Sequence, residues 1–168
     1  FKGAINFNQP VPWSTSAATS VSGAFSGATL YDQPLDWDLS ACSNFNFLFE
    51  DAVSLTSPIN LVTSTGGTFK GTFKGAKMFF GATAFDQDIS MWNISTLTDA
   101  ANMFDGSGLT TPNYDALLQG WAAQAPAIQS NVSLGAAGIQ FTNATSLTAH
   151  NILTSPPYSW TISDGGGI

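Results

Sequence analysis

The chain has 168 residues, 43% of them hydrophobic, which is enough for one domain with a packed core. Only 9% are charged: eleven acids, four lysines and no arginine, for a formal net charge of -7. That balance excludes a nucleic-acid partner, which needs a basic face, and a membrane-surface helix rich in Lys and Arg.

No apolar run approaches the ~18 residues of a membrane span, and no basic-then-apolar start reads as a signal peptide. A chain starting at Phe1 instead of Met reads as a mature product or a fragment. Thirteen Phe and five Trp argue against disorder. A folded, weakly charged surface rich in Ser, Thr and Asn suits an extracellular or cell-surface setting. Cys42 is alone, so no disulfide framework exists within the chain.

From its first residue the chain repeats itself. Phe1-Lys2-Gly3-Ala4 aligns with Phe25-Ser26-Gly27-Ala28, Phe49-Glu50-Asp51-Ala52 and Phe79-Phe80-Gly81-Ala82. The intervals are 24, 24 and 30 residues, and a fifth start follows 25 later at Phe104-Asp105-Gly106. Within each unit Phe7-Asn8-Gln9, Tyr31-Asp32-Gln33 and Phe85-Asp86-Gln87 share one offset, eroded in the third copy to Leu55-Thr56-Ser57. Further on, Trp13, Trp37, Leu61 and Trp92 share another. The expected repeat core is Phe1, Phe25, Phe49 and Phe79 in one buried column, and Trp13, Trp37, Leu61 and Trp92 in a second.

Each unit reads as one supersecondary element. Pro34-Leu35-Asp36-Trp37 and Asp88-Ile89-Ser90-Met91-Trp92 are short and alternating, like strands. Trp92, Ile94, Leu97, Ala100, Ala101, Met103 and Phe104 then recur at mostly three- and four-residue steps, the spacing of a helical face. Ser95 is the candidate N-cap, and Gly3, Gly27 and Gly81 are candidate C-caps. A strand, helix and turn in ~24 residues fit the 20–29-residue range of leucine-rich repeats. Such units bury their apolar faces only by stacking on one another.

The run Phe79-x-Gly81-Ala82-x-x-Phe85-Asp86-Gln87-Asp88-Ile89-Ser90-x-Trp92-Asn93-Ile94-Ser95-x-Leu97-Thr98-Asp99 resembles the repeat of BspA-like leucine-rich-repeat surface proteins. Asn113 to Trp121 and Trp160 to Gly166 are similar to that family's closing segment. The resemblance implies a secreted or cell-surface solenoid, linked in some members to adhesion.

The longer interval comes from an insert at 68–77, where Thr68-Phe69-Lys70-Gly71 is followed at once by Thr72-Phe73-Lys74-Gly75. Lys70, Lys74 and Lys77 there form a candidate contact patch, a basic spot on an acidic molecule; the competing reading is a bulging loop with its lysines in water. After residue 108 the repeat stops. Thr111-Pro112-Asn113 opens a helix with Tyr114, Leu117, Leu118 and Trp121 on its apolar face. Val132 to Leu134 and Ile139 to Phe141 read as two strands joined through Gly135 to Gly138. A second helix follows Thr142-Asn143, and Trp160 to Ile162 reads as a last strand. The expected organisation is four repeats over 1–108 and a C-terminal cap over 109–168, built as a right-handed α/β solenoid of leucine-rich-repeat type.

Catalytic chemistry is not expected. His150 is the only histidine and has no partner at a recognisable spacing, and Cys42 falls on the core side of its repeat, where thiols are inert. Asn8, Asp32, Thr56 and Asp86 share a column that reads as a turn-capping ladder, with a Ca²⁺ site as the competing reading. No cofactor or resident metal is expected. Asn93, Asn131 and Asn143 begin glycosylation sequons. The functional expectation is a non-enzymatic structural or adhesive surface module acting by protein–protein contact, with head-to-tail self-assembly into a filament as one form. Its partners would be other protein surfaces or further copies of itself. The rival expectation is a carbohydrate-binding module that uses exposed aromatics on glycans.

Overall fold

Each repeat folds around its Phe-x-Gly-Ala quartet. The computed structural model describes residues 1–62, 73–74 and 77–168, with Val62, Phe73 and Lys74 described by backbone alone. In the quartet the Phe carbonyl accepts the Ala N–H, at 3.0 Å for Phe25 and Ala28, 3.0 Å for Phe49 and Ala52, and 3.1 Å for Phe79 and Ala82. The third residue is left-handed, with φ of 70° at Gly27, 56° at Asp51 and 69° at Gly81. Glycine adopts that conformation without a Cβ penalty, and Asp is among the few other residues that tolerate it. The third repeat therefore keeps its turn despite losing its glycine.

A second tight turn precedes the quartets that start at Phe25, Phe49 and Phe104. The Val21, Phe45 and Ala100 carbonyls accept the N–H groups of Ala24, Leu48 and Met103, and Gly23, Phe47 and Asn102 are left-handed. No helix forms in the described residues of the repeats, which corrects the helical reading. Two consecutive four-residue turns place apolar side chains at i, i+3, i+4 and i+7, as in Phe45, Leu48, Phe49 and Ala52. That is the spacing of a helical face, but a left-handed residue every four positions forbids the helix.

The strands are short and parallel. β1 (Leu35–Asp38) pairs with β2 (Ile59–Val62), setting Leu35 opposite Ile59 and Trp37 opposite Leu61. β3 (Phe73–Lys74) pairs with β4 (Leu97–Asp99) with an irregular register. Next come α1 (Thr111–Ala122), β5 (Ser133–Gly135), α2 (Asn143–Thr154) and β6 (Thr161–Ser163). β5 pairs in parallel with β6, not with the segment just after it. Ile139 to Phe141 is no strand; Phe141 makes one isolated bridge to Gly167.

The expected right-handed leucine-rich-repeat-type α/β solenoid is therefore corrected. The described residues hold two helices, both after residue 110, and three separate two-stranded sheets. Among the described residues no continuous sheet runs through the repeats and no helix returns each strand to the next. The architecture is a small mixed α/β domain.

One core joins the repeats to the helices. The rings of Phe1, Phe25, Phe49, Phe79 and Phe104 stack in file, with centroids 5.7, 5.4, 5.7 and 5.8 Å apart. Stacked aromatic pairs contribute about 0.5–1.5 kcal/mol each beyond area burial. Tyr114, Leu117, Leu118 and Trp121 of α1 are buried, and α1 packs against α2. The α2 N-terminus is capped from α1: the Asp115 carboxylate accepts the Thr142 N–H at 2.8 Å. Burial raises the Asp115 carboxyl, but hydrogen bonds from Ser146, Thr142 and Thr145 outweigh it and hold the group below its ordinary value. Among the described residues no helix is long and apolar enough to cross a membrane.

Candidate functional site

The ring columns are covered along their length. Phe25, Phe49 and Phe79 are fully buried, because each ring lies between the repeats before and after it. Phe1 belongs to the same column but is 39% exposed, and Ile5 beside it in the chain is 59% exposed. In the second column Trp37 is only 4% exposed and Leu61 and Trp92 are half-buried, whereas Trp13 is 57% exposed. Phe1 and Trp13 thus depart from the expected buried columns, since the described residues place a neighbouring repeat on only one side of them. Together Phe1, Phe7 and Trp13 make a stacked aromatic patch, with Phe1 3.7 Å from Phe7 and 5.4 Å from Trp13.

Backbone hydrogen bonds tie neighbouring repeats together, and the later repeat also donates to the earlier one, as in Leu30 to Ile5 at 3.1 Å and Gly108 to Ala82 at 3.1 Å. Across each repeat boundary an N–H of the earlier repeat meets a carbonyl of the later one, as in Phe25 to Leu48 at 2.9 Å, Phe49 to Met78 at 2.9 Å and Phe79 to Met103 at 2.9 Å.

The carboxylate column is structural. Asn8 Oδ1 accepts the Asp32 N–H at 3.0 Å and Gln33 Nε2 at 2.9 Å. Asp32 Oδ1 accepts the N–H groups of Thr56 and Ser57 at 2.8 and 2.6 Å. Asp86 Oδ1 accepts the Thr110 N–H at 2.9 Å and Asn113 Nδ2 at 2.8 Å, which ties α1 to the fourth repeat. Burial pushes both carboxyls up, but these donated bonds win and hold them below the ordinary value. Oxygens committed to backbone N–H groups are poorly placed for a cation, and no cluster of metal-ligating side chains occurs among the described residues.

The basic patch is only partly described. Lys70, like most of the 68–77 insert, lies outside the described residues, and Lys74 is described only as backbone of β3. Lys77 Nζ sits 3.9 Å from Glu50 Oε1 and 4.8 Å from the centre of the Phe80 ring. Among the sequons, Asn131 and Asn143 are exposed, while Asn93 is half-buried and its Oδ1 accepts the Ser95 N–H at 3.0 Å. Cys42 is fully buried, and burial raises its thiol, the state of an unreactive cysteine.

His150 has a partner that no local spacing reveals. Its Nε2 lies 3.6 Å from Asp164 Oδ2, which also accepts the Tyr114 hydroxyl at 2.8 Å. Burial first, then the Asp164 charge and hydrogen bond, push the Tyr114 phenol far up. This cluster joins α1, α2 and the segment after β6. Its members lie up to 50 residues apart, so only the tertiary fold brings them together.

Among known families, a model described as "Mycoplasma protein of unknown function, DUF285" matches residues 1–77 and, again, residues 70–132. No curated protein and no solved structure matches the chain.

Proposed function

We propose that this chain, which belongs to the DUF285 family, is a non-enzymatic structural or adhesive module that acts by protein–protein contact. The observation that carries the reading is a weakly charged surface that leaves apolar side chains in water, Met91 at 90% and Leu30 at 49% exposure. Apolar side chains left on a surface favour a covering partner. The low charge offers little repulsion against docking. An extracellular or cell-surface location accords with the Ser/Thr/Asn-rich surface and with the resemblance to BspA-like surface repeats.

Carbohydrate binding is the second reading, and the exposed Trp13 ring favours it. Only this Trp of its column is mostly exposed, so the column makes no extended stacking platform. The test is binding of wild type and a Leu30→Ser/Met91→Ser variant to immobilised protein surfaces (its own copies, collagen, albumin) and to immobilised glycans. The contact reading expects protein binding that the variant loses by at least tenfold. Binding to glycans alone, or protein binding unaffected by the variant, rejects it.

A further inference from the structure

Resting on the reading that this surface works by protein contact, we propose that Met91 is a reversible oxidation site through which peroxide loosens that contact. The fourth repeat carries one extra residue at its strand position. Leu35 and Trp37 are two positions apart, and so are Ile59 and Leu61, whereas Ile89 and Trp92 are three apart. A spacing of two fits a strand, and β1 and β2 form there. With the added residue the same stretch becomes a tight turn, in which the Trp92 N–H donates to Ile89 O at 3.1 Å. Ile89 stays buried and Trp92 half-buried, so the two residues between them bulge outward. Met91 takes the outer position and is 90% exposed.

The turn is fixed from beneath by α1. Trp121 Nε1 donates to Ile89 O at 3.3 Å, and a Cβ at Gly120 would overlap the Ser90 backbone. The Ser90 N–H is in turn held by Asp88 Oδ1 at 2.9 Å. A braced turn therefore keeps the Met91 thioether in water. The other sulfur atoms of the chain are shielded: Met78, Met103 and Cys42 are fully buried. Burial also raises the Cys42 thiol, so little of it is the thiolate that oxidants attack.

Hydrogen peroxide transfers one oxygen to Met91 Sδ. The O–O bond breaks, an S–O bond forms, the sulfur gives up two electrons and the peroxide leaves as water. A polar sulfoxide then stands where a partner would cover an apolar side chain. A reductase supplied with a dithiol reverses the step: the oxygen leaves as water and the dithiol becomes a disulfide.

The test combines mass measurement with binding to the immobilised protein surfaces. Both are read before peroxide, after it, and after methionine sulfoxide reductase with dithiothreitol. A gain of about 16 Da is expected on the peptide that holds Met91, with Met78, Met103 and Cys42 unmodified. Binding should fall by about tenfold, as expected for losing a buried methionine side chain, and return on reduction. Met91→Gln should bind as weakly without peroxide, whereas Met91→Leu should bind equally before and after treatment. Oxidation of Met78 or Met103 as fast as Met91 overturns the site and leaves the contact reading intact. Selective oxidation that leaves binding unchanged, or a peroxide loss that Met91→Leu shares, overturns the switch and again leaves the contact reading intact. Absence of protein binding before any treatment removes the contact reading, and the switch with it.

Discussion

Tyr31→Phe is expected to stabilise the protein. The Tyr31 side chain is fully buried in the file of rings, 4.1 Å from Phe25 and 6.0 Å from Phe7. Its hydroxyl has no hydrogen-bond partner, and burial pushes the phenol up to about 12. The equivalent positions in the first and fourth repeats hold Phe7 and Phe85, so the surrounding backbone already accommodates phenylalanine. A buried, unsatisfied hydroxyl costs about 1–3 kcal/mol. Removing it forfeits a few atomic contacts of ~0.1–0.2 kcal/mol each. The net gain is therefore about 1 kcal/mol, which for a chain of this size corresponds to ~2–4 °C in melting temperature. Urea unfolding should show a higher midpoint with an unchanged slope. The gain should also widen at alkaline pH. A phenol whose folded value lies above the unfolded 10.0 keeps its proton in the folded state while the unfolded chain loses it. Stability therefore falls as pH rises from 10 to about 12, and the variant escapes that part of the loss. A lower midpoint, or a gain that shrinks above pH 10, would refute the claim that the hydroxyl is unpaired.

Three further outcomes follow from the same packing. Trp37→Ala should cost about 3–5 kcal/mol, since it empties a core position and removes the 2.9 Å bond from Nε1 to Val11 O; Trp13→Ala should cost under about 1 kcal/mol, being an exposed change, as denaturant titration of both will show. Gly120→Ala would gain ~1 kcal/mol in helix propensity, but the new Cβ would lie 2.5 Å from the Ser90 carbonyl oxygen; the overlap costs about 1–3 kcal/mol, so a lower melting temperature is expected. Asp32, Asp86 and Asp115 are all held below the ordinary carboxylate value, so their stabilisation is complete above the unfolded value of 3.8 and is lost as pH falls through it toward the folded ones. Asp32→Asn should keep the ladder through its amide oxygen, as Asn8 does, and flatten this acid loss, whereas Asp32→Ala should cost about 1–2 kcal/mol at neutral pH; acid melts of the two variants check both.

The recurrence of Phe-x-Gly-Ala was legible in the sequence because each quartet carries its own local instructions. A left-handed third residue and an aromatic at the first position specify the turn and its buried ring without reference to distant residues. The Asn8, Asp32 and Asp86 column was legible for the same reason, since short polar side chains at one offset of a repeat meet the same backbone groups each time. The two helices after residue 110 announced themselves through Pro112 and a periodic apolar face.

Other features depended on contacts between distant residues. Two successive turns and one helix produce the same apolar spacing, and only the left-handed backbone at Gly23, Phe47 and Asn102 separates them; Gly and Asn tolerate that conformation, but Phe gives no sign of it in advance. β5 chose β6 over its sequence neighbour because strand partners are selected by the packing of α1 against α2 and the core, not by proximity in the chain. Asp164 reaches both Tyr114 and His150 through that same packing. The sequence placed Trp37, Leu61 and Trp92 in one column by residue type and offset, but Trp37 is buried and the other two only half-buried, because burial depends on what lies on both faces of a side chain, and that is a property of the tertiary structure alone.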